Sequence, residues 1–452
     1  MGKRKLHRGA FILVLSIATF VMALSMLALS PVTTTLMAAW HVSFAQVEWL
    51  TTVFLLVMCL SMLVSPWLFN RIGFHRLILL LLACFMVGTL LLALSPRYFL
   101  ALVGRVLEAV ALGAMFPLYQ SALLVITTGP AQETVMGIAG AVMSLAIVGG
   151  PAIAELALTV INWRTFYCLL VVITIIISLG SFRWVTNVVP VQRRPFDWRS
   201  IIYSLGIFGL LYLLNTSWSG RLVPLLMVFV VSLLLLVAFF WRQLHSTRPL
   251  LQIRALRYGR FDLCLLLSGV AYSSLVGLTV LLPLFYRQIL LERGLKVSLA
   301  LLVPALVLVL VNLATSRLTD WLGNGTVMMV GMVILTGSFL LFVVENHSLT
   351  SVKLITISCL TAIGTGLVMM PATTQGTTFL PSALVAHGIT IITVTRQLLG
   401  SLGTALLTLL LLLAPGRLGF VWAFSMFMLM DLVVLGTLVM TLGGKNRENK
   451  EN

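Results

Sequence analysis

Charge is what this sequence most lacks. Only 9% of its 452 residues are Asp, Glu, Lys or Arg, where a soluble domain carries about 25%. With 60% hydrophobic residues and a mean hydropathy of +1.12, a globule of this length has too little polar surface to stay dispersed in water. A water-soluble fold is excluded, and the solvent for most of the surface is lipid. Cysteine and histidine are sparse as well. Cys59, Cys84, Cys168, Cys264 and Cys359 all fall inside apolar stretches without paired spacing. They read as small packing residues, not as a disulfide framework or a metal site. His7, His41, His75, His245, His347 and His387 are scattered, so no metal set, cofactor or enzymatic cluster is expected. No Gly-x-x-x-x-Gly-Lys-Ser/Thr run occurs, which argues against direct ATP hydrolysis.

What the sequence does have is long apolar runs. About 20 apolar residues cross a bilayer as a helix. Runs of that kind stand near 11–36, 47–69, 77–95, 98–127, 132–160, 165–187, 200–217, 221–241, 261–288, 297–315, 326–344, 350–375, 385–413 and 418–443. Fourteen spans consume at least about 280 residues, which leaves connectors and no room for a soluble domain of ordinary size. Continuous runs favour helices over barrel strands, which would alternate. The expectation is an all-α, polytopic membrane protein. The basic start, Met1-Gly-Lys-Arg-Lys-Leu-His-Arg8, precedes a run too long for a secretory signal and is read as the head of a retained first span.

The net charge of +17 would suggest nucleic acid in a soluble protein. Here the basic residues sit singly or in short runs between apolar stretches, so they are topology signals and no nucleic-acid partner is expected. With the amino terminus inside, most Lys and Arg, including Lys3, Arg4, Lys5, Arg193, Arg194, Arg248 and Lys445, fall on cytoplasmic segments. A minority, such as Arg97, Arg293 and Lys353, fall outside. Both termini are therefore expected in the cytoplasm of a cell-membrane protein.

Two turns echo each other. Leu68-Phe-Asn70-Arg71-Ile-Gly73 follows span 2, and Leu318-Thr-Asp320-Trp-Leu-Gly323 follows span 10. An Asx side chain can cap the next helix and Gly permits a tight bend. Their equivalent positions suggest a duplicated six-helix unit. At these residues the chain resembles the major facilitator superfamily, more narrowly its fourteen-span drug:proton antiporter branch of the QacA and EmrB type. Pro66 through Arg76 keeps the Leu, Arg and Gly of the branch's loop motif, with Pro and Asn at two other places. Arg105-Val-Leu-Glu108-Ala109 keeps the Arg of the span 4 motif, and Gly150-Pro151 the first pair of the span 5 motif. Asn162-Trp163-Arg164, Phe196-Asp197-Trp198, Arg248-Pro249-Leu250-Leu251 and Arg396-Gln397-Leu-Leu-Gly400-Ser401-Leu-Gly403 agree in order with the same branch.

The resemblance implies a major facilitator fold of two six-helix bundles plus two extra central helices: a bundle over 1–190, linker helices 7 and 8 with their loops over 191–259, and a second bundle with a short cytoplasmic tail over 260–452. It implies a secondary transporter, a proton-coupled exporter of drugs or amphipathic compounds working by alternating access around a midplane cavity. Its partners are a small-molecule substrate, protons and lipid, with a monomer favoured. The alternatives are an exporter of a lipid, peptide or metabolite not driven by protons, or a non-transporting sensor.

A charge inside hydrocarbon is costly, so intramembrane ionisable residues are the candidate site. Arg105 and Glu108 lie three apart on one face of span 4, and Glu155 lies on span 5 at a depth similar to Arg105. An Arg105–Glu155 pair with Glu108 a turn deeper is allowed, either as a static ion pair or as a carboxylate that changes protonation during transport. The first span, where the branch commonly has an acid, has none over Phe20–Pro31. Arg396 and Gln397 are candidates for the substrate cavity, with Arg396 either attracting polar substrate groups or bonding to carbonyls. Gly149, Gly150, Pro151, Gly400 and Gly403 are candidates for gating or for close packing. Asn70, Arg71, Gly73, Arg76, Asp320 and Gly323 form the loop motif. Asp262 is explained by a helix N-terminus, and Asp431 is read as a pairing or interface residue.

Overall fold

The architecture is that of a computed structural model describing residues 7–29, 32–129, 131–189, 191, 197–215, 222–246, 249–292, 295–414 and 416–451. Of the positions named above, Met1, Lys3, Arg4, Lys5, Pro31, Arg193, Arg194, Phe196, Arg248 and Arg293 lie outside them. Among the described residues there are helices and turns and no strand. In hydrocarbon every backbone N–H and C=O must find a partner within its own segment, which is why apolar runs this long become helices.

In chain order the helices are α1 (Arg8–Leu27), α2 (Thr33–Trp40), α3 (Phe44–Arg71), α4 (Phe74–Ala93), α5 (Tyr98–Ile126), α6 (Ala131–Ile147), α7 (Gly150–Leu158), α8 (Trp163–Trp184), α9 (Trp198–Asn215), α10 (Leu222–His245), α11 (Gly259–Gln288), α12 (Leu295–Leu322), α13 (Asn324–Val344), α14 (Ser351–Thr378), α15 (Val385–Leu413) and α16 (Arg417–Glu451). Among the described residues twelve helices are long and apolar enough to span a membrane, or thirteen crossings if α6 and α7 are one bent span. The expected span at 200–217 coincides with α9, which is outside that set. The expected first span, 11–36, is not one helix: α1 stops at Leu27 and α2 starts at Thr33.

By its contacts the chain divides into two compact units. The first takes Met1–Thr128, Ile153–Arg254 and Leu384–Val394; the second takes Gly129–Ala152, Ala255–Ala383 and Thr395–Asn452. Within the first unit, α5 packs against α3, α4 and α1, and α8 against α4 and α1. The crossing of α4 and α5 is made by glycine on both sides: a Cβ on Gly88 would lie 2.6 Å from the Gly104 carbonyl, and one on Gly104 equally close to that of Gly88. The hairpin of α9 and α10 closes through Arg242, whose guanidinium reaches both carboxylate oxygens of Asp197 at 2.8–3.2 Å. It leans on α3, where Trp49 and Tyr212 stack at 5.6 Å.

The second unit repeats this scheme. Here α14 packs against α13, α12 and α11, and Gly331 faces Gly364 across α13 and α14. Each fourth span carries an interior proline at a similar depth, Pro117 in α5 and Pro371 in α14. A hydroxyl–partner contact also recurs, Thr89 with Glu108 in the first unit and Ser338 with Thr361 in the second. On α16, Phe420, Phe424 and Phe427 form one fully buried stripe whose rings pair with Phe285, Phe342 and Phe339 at 5.0, 4.6 and 5.4 Å. The five cysteines are free, with Cys59 and Cys264 buried.

Candidate functional site

The charged centre of the first unit is built on α5. Arg105 and Glu108, one turn apart, are both fully buried and paired at 2.7 Å. This is where the structure departs from the expected Arg105–Glu155 pairing. Residues i and i+3 on one helix meet without moving a neighbour, so Arg105 takes the carboxylate on its own face. Glu155 stands half-buried on α7, beyond the break that ends α6.

Four further helices close the cage. The Arg105 guanidinium also donates to the carbonyls of Ser25 at 3.2 Å and Met26 at 3.1 Å, near the end of α1. The last carbonyls of a helix have no partner within it, and a cation at a helix C-terminus meets the negative end of its dipole. The same guanidinium lies 4.1 Å from the centre of the Phe54 ring on α3. Glu108 accepts from Thr89 on α4 at 2.7 Å and from Ser25 on α1 at 3.0 Å. Tyr167 of α8, fully buried, borders the pair. Ser25 lies in the first-span stretch that lacks an acid, so the hydroxyl there serves an acid on α5 instead.

This arrangement can hold Glu108 in either protonation state. A hydroxyl donates or accepts, so Thr89 and Ser25 can serve a carboxylate or a carboxylic acid. Arg105 keeps two carbonyl acceptors when Glu108 is neutral. In the second unit the α13–α14 contact is between two hydroxyls, Thr361 and Ser338 at 2.9 Å, and among the described residues no ion pair joins those helices there.

The second unit holds a different cation. Arg396 on α15 is 3% exposed; its Nε donates to Ser268 at 2.6 Å, and one terminal nitrogen donates to the Met369 carbonyl at 2.8 Å and to the Thr373 hydroxyl. Its Nη1 has no hydrogen-bond partner. Gln397 beside it accepts from the Tyr272 hydroxyl at 3.4 Å. A buried guanidinium bound only to neutral groups, with one nitrogen left over, suits a polar or anionic group on a ligand.

Gly149, Gly150 and Pro151 fall at the break between α6 and α7, where the axis turns by 47°. Proline offers no N–H to the preceding turn and its ring disfavours helix continuation, so a second helix starts there. Gly400 and Gly403 lie instead within an unbroken α15. A Cβ on Gly400 would lie 2.9 Å from the Tyr272 ring, and Gly403 faces Ser273 and Phe427, so this pair gives close packing on α11. Before the break, α6 packs on α12: Gly140 faces Asn312 and Met370, and Asn312 donates to Ser144 at 3.1 Å.

The loop motif holds a correction. Asn70 does not cap α4; its side-chain amide turns back along α3 and donates to the Pro66 carbonyl one turn earlier at 2.9 Å. The first turn of α4 is capped from afar by Asn187, which accepts from the His75 N–H at 3.1 Å. Asp320 does not cap α13 either: its N-cap is Gly323, without a side-chain cap and with φ of 77°, a backbone that favours glycine. Arg71, Arg76 and Asp320 are exposed. Asn324 beyond the turn donates to Glu133 on α6 at 3.0 Å. Asn187 and Asn312 carried no motif signal; only an asparagine in an apolar run marked Asn312. Among the described residues no group of His, Cys, Asp and Glu could hold a metal.

With this geometry in hand, comparison with known proteins is informative. The family model described as the Major Facilitator Superfamily matches residues 15–404. The chain is 28% identical over 409 residues to the lincomycin resistance protein LmrB of Listeria monocytogenes, covering 89% of this chain and 86% of that one. It is 24% identical over 414 residues to the multidrug export protein EmrB of Haemophilus influenzae, covering 88% and 80%. The solved structure of the human organic anion transporter MFSD10 (TETRAN) superposes with a TM-score of 0.68 over 95% of this chain and all of that one, at 14% identity, a likeness of fold.

Proposed function

Since this chain belongs to the Major Facilitator Superfamily, and is thus an integral membrane transporter, we propose that it exports amphipathic compounds in exchange for protons by alternating access. The observation that carries this is the Arg105–Glu108 cage. A buried acid whose partners can serve both of its protonation states is what proton exchange needs. Relatives that carry drug-resistance and drug-export names point the same way on the substrate class.

In this reading Glu108 takes the place of the first-span acid as the proton site, and Arg105 ties it to the end of α1. Arg396 and Gln397 meet the polar part of the substrate. The break at Gly149-Gly150-Pro151 is the flexible point of the fifth span. The chain crosses the bilayer fourteen times, with α9 as a span and both termini in the cytoplasm. By descent it divides into 1–190, the inserted pair within 191–259, and 260–452.

The test is transport in proteoliposomes, with cationic, neutral and anionic amphipathic dyes, with and without an imposed pH gradient. Dye movement against its gradient, driven by the proton gradient, is expected. Movement indifferent to pH would instead favour an exporter of lipid, peptide or metabolite that is not driven by protons.

A further inference from the structure

The Phe420, Phe424 and Phe427 stripe of α16 continues along the same face through Val434 and Leu438, which are 6% and 1% exposed. One position in this otherwise apolar stripe is an acid: Asp431, at 0% exposure. Its Oδ1 accepts from the Ser274 hydroxyl of α11 at 3.0 Å. Its Oδ2 has no hydrogen-bond partner. Among the described residues it is in no ion pair.

The elements packed around it supply no nearby cation. The helix α13 carries no ionisable residue from Asn324 to Val344. On α11 the ionisable groups other than tyrosine and cysteine are Arg260 and Asp262 in its first turn and Arg287 in its last. On α16 itself the nearest in sequence are Arg417 and Lys445, each more than three turns along the helix. Arg396 of α15 is engaged with Ser268, Met369 and Thr373. A carboxylate without a cation is the costliest group to leave in such a place, whereas a carboxylic acid can share a hydrogen with the serine. A merely structural polar contact would be equally served by serine, threonine or asparagine.

We infer that Asp431, held by Ser274, is a second proton-binding residue of the transport cycle, located in the second unit. The acid holds its proton in the conformation described here, bonded to Ser274, and releases it to water when α11 and α16 shift and water reaches the carboxylate. This rests on the proton-exchange reading above, and it implies that more than one proton moves per cycle.

The test is Asp431→Asn, which is nearly isosteric and keeps a neutral hydrogen-bonding side chain on Ser274 while removing the titratable proton. In proteoliposomes the variant is expected to hold parental thermal stability and parental substrate counterflow. Its pH-gradient-driven efflux should fall about tenfold or more, the scale of a coupling between two ligands, and the number of protons counted per substrate should drop. Equal proton-driven efflux and an equal proton count in variant and parent would overturn the inference. A parent without proton-driven efflux would defeat the transport reading itself, a separate outcome. If Asp431→Asn fails to insert, Ser274→Ala serves: loss of the one donor to the carboxylate should move the pH midpoint of efflux upward, and an unmoved midpoint overturns the inference.

Discussion

At the scale of single residues, the economy of charge makes each buried ion informative. Arg105 and Glu108 neutralise each other at 2.7 Å, so the pair enters the hydrocarbon as a neutral unit; removing Arg105 leaves the Glu108 carboxylate without its cation. Arg105→Leu should lower stability by about 3–5 kcal/mol, as for other broken buried pairs, seen as a drop in the melting temperature of the detergent-solubilised protein. Glu108→Gln should behave differently. The amide oxygen still accepts from Thr89 and Ser25, and Arg105 keeps the Ser25 and Met26 carbonyls, so the fold stays. Proton-driven efflux at matched expression should fall, while Glu155→Gln, whose side chain lies outside the cage, falls less. If both glutamine variants transport like the parent, the proton site is elsewhere. The Arg105–Glu108 spacing was legible in sequence, as was the polar character of both residues. The choice of Glu108 over Glu155 was not, because it depends on where α6 breaks.

At the scale of elements, glycine and proline decide how helices meet. Gly88 and Gly104 let α4 and α5 touch backbone to backbone, and a side chain on either has nowhere to go. Gly104→Val should cost about 1–3 kcal/mol of overpacking and be read as reduced thermal stability, where Gly337→Ala, with open space around its Cβ position, should leave stability near the parent's. Pro151→Ala restores an N–H at the break after Ile147 and should stiffen it. The expected readout is slower turnover with unchanged substrate binding, checked by separate transport and equilibrium-binding assays. The α9–α10 hairpin carries a pH signature. Partial burial alone would raise the Asp197 carboxyl, but hydrogen bonds from Arg242 and Ser200, with the Arg242 charge, outweigh it and hold the acid below its usual range. A depressed folded value means the pair's contribution is fully present above the unfolded value near ~3.9 and is lost as pH falls through the folded one. The gap in melting temperature between parent and Asp197→Asn should be open at neutral pH and close in acid.

At the scale of the whole molecule, topology carries the most consequence. Fourteen crossings with both ends in the cytoplasm require that single cysteines at the α3–α4 turn and the α12–α13 turn react with an impermeant reagent from one side, and a cysteine at Lys353 from the other. Labelling of the two turns from opposite sides would break the duplicated plan. The all-helical membrane character of the chain followed from composition and run length alone, because hydrocarbon leaves the backbone no other way to satisfy itself. The family likewise showed in ordered motif fragments, each a local pattern along the chain. Three things needed the tertiary structure: the cage that assembles Ser25, Thr89 and Phe54 around Arg105 and Glu108, the distant Asn187 that caps α4 in place of Asn70, and the lack, among the described residues, of an ion pair for Asp431. Each is a relation between residues far apart in sequence, and packing in three dimensions, unlike hydropathy, leaves no periodic mark on the chain.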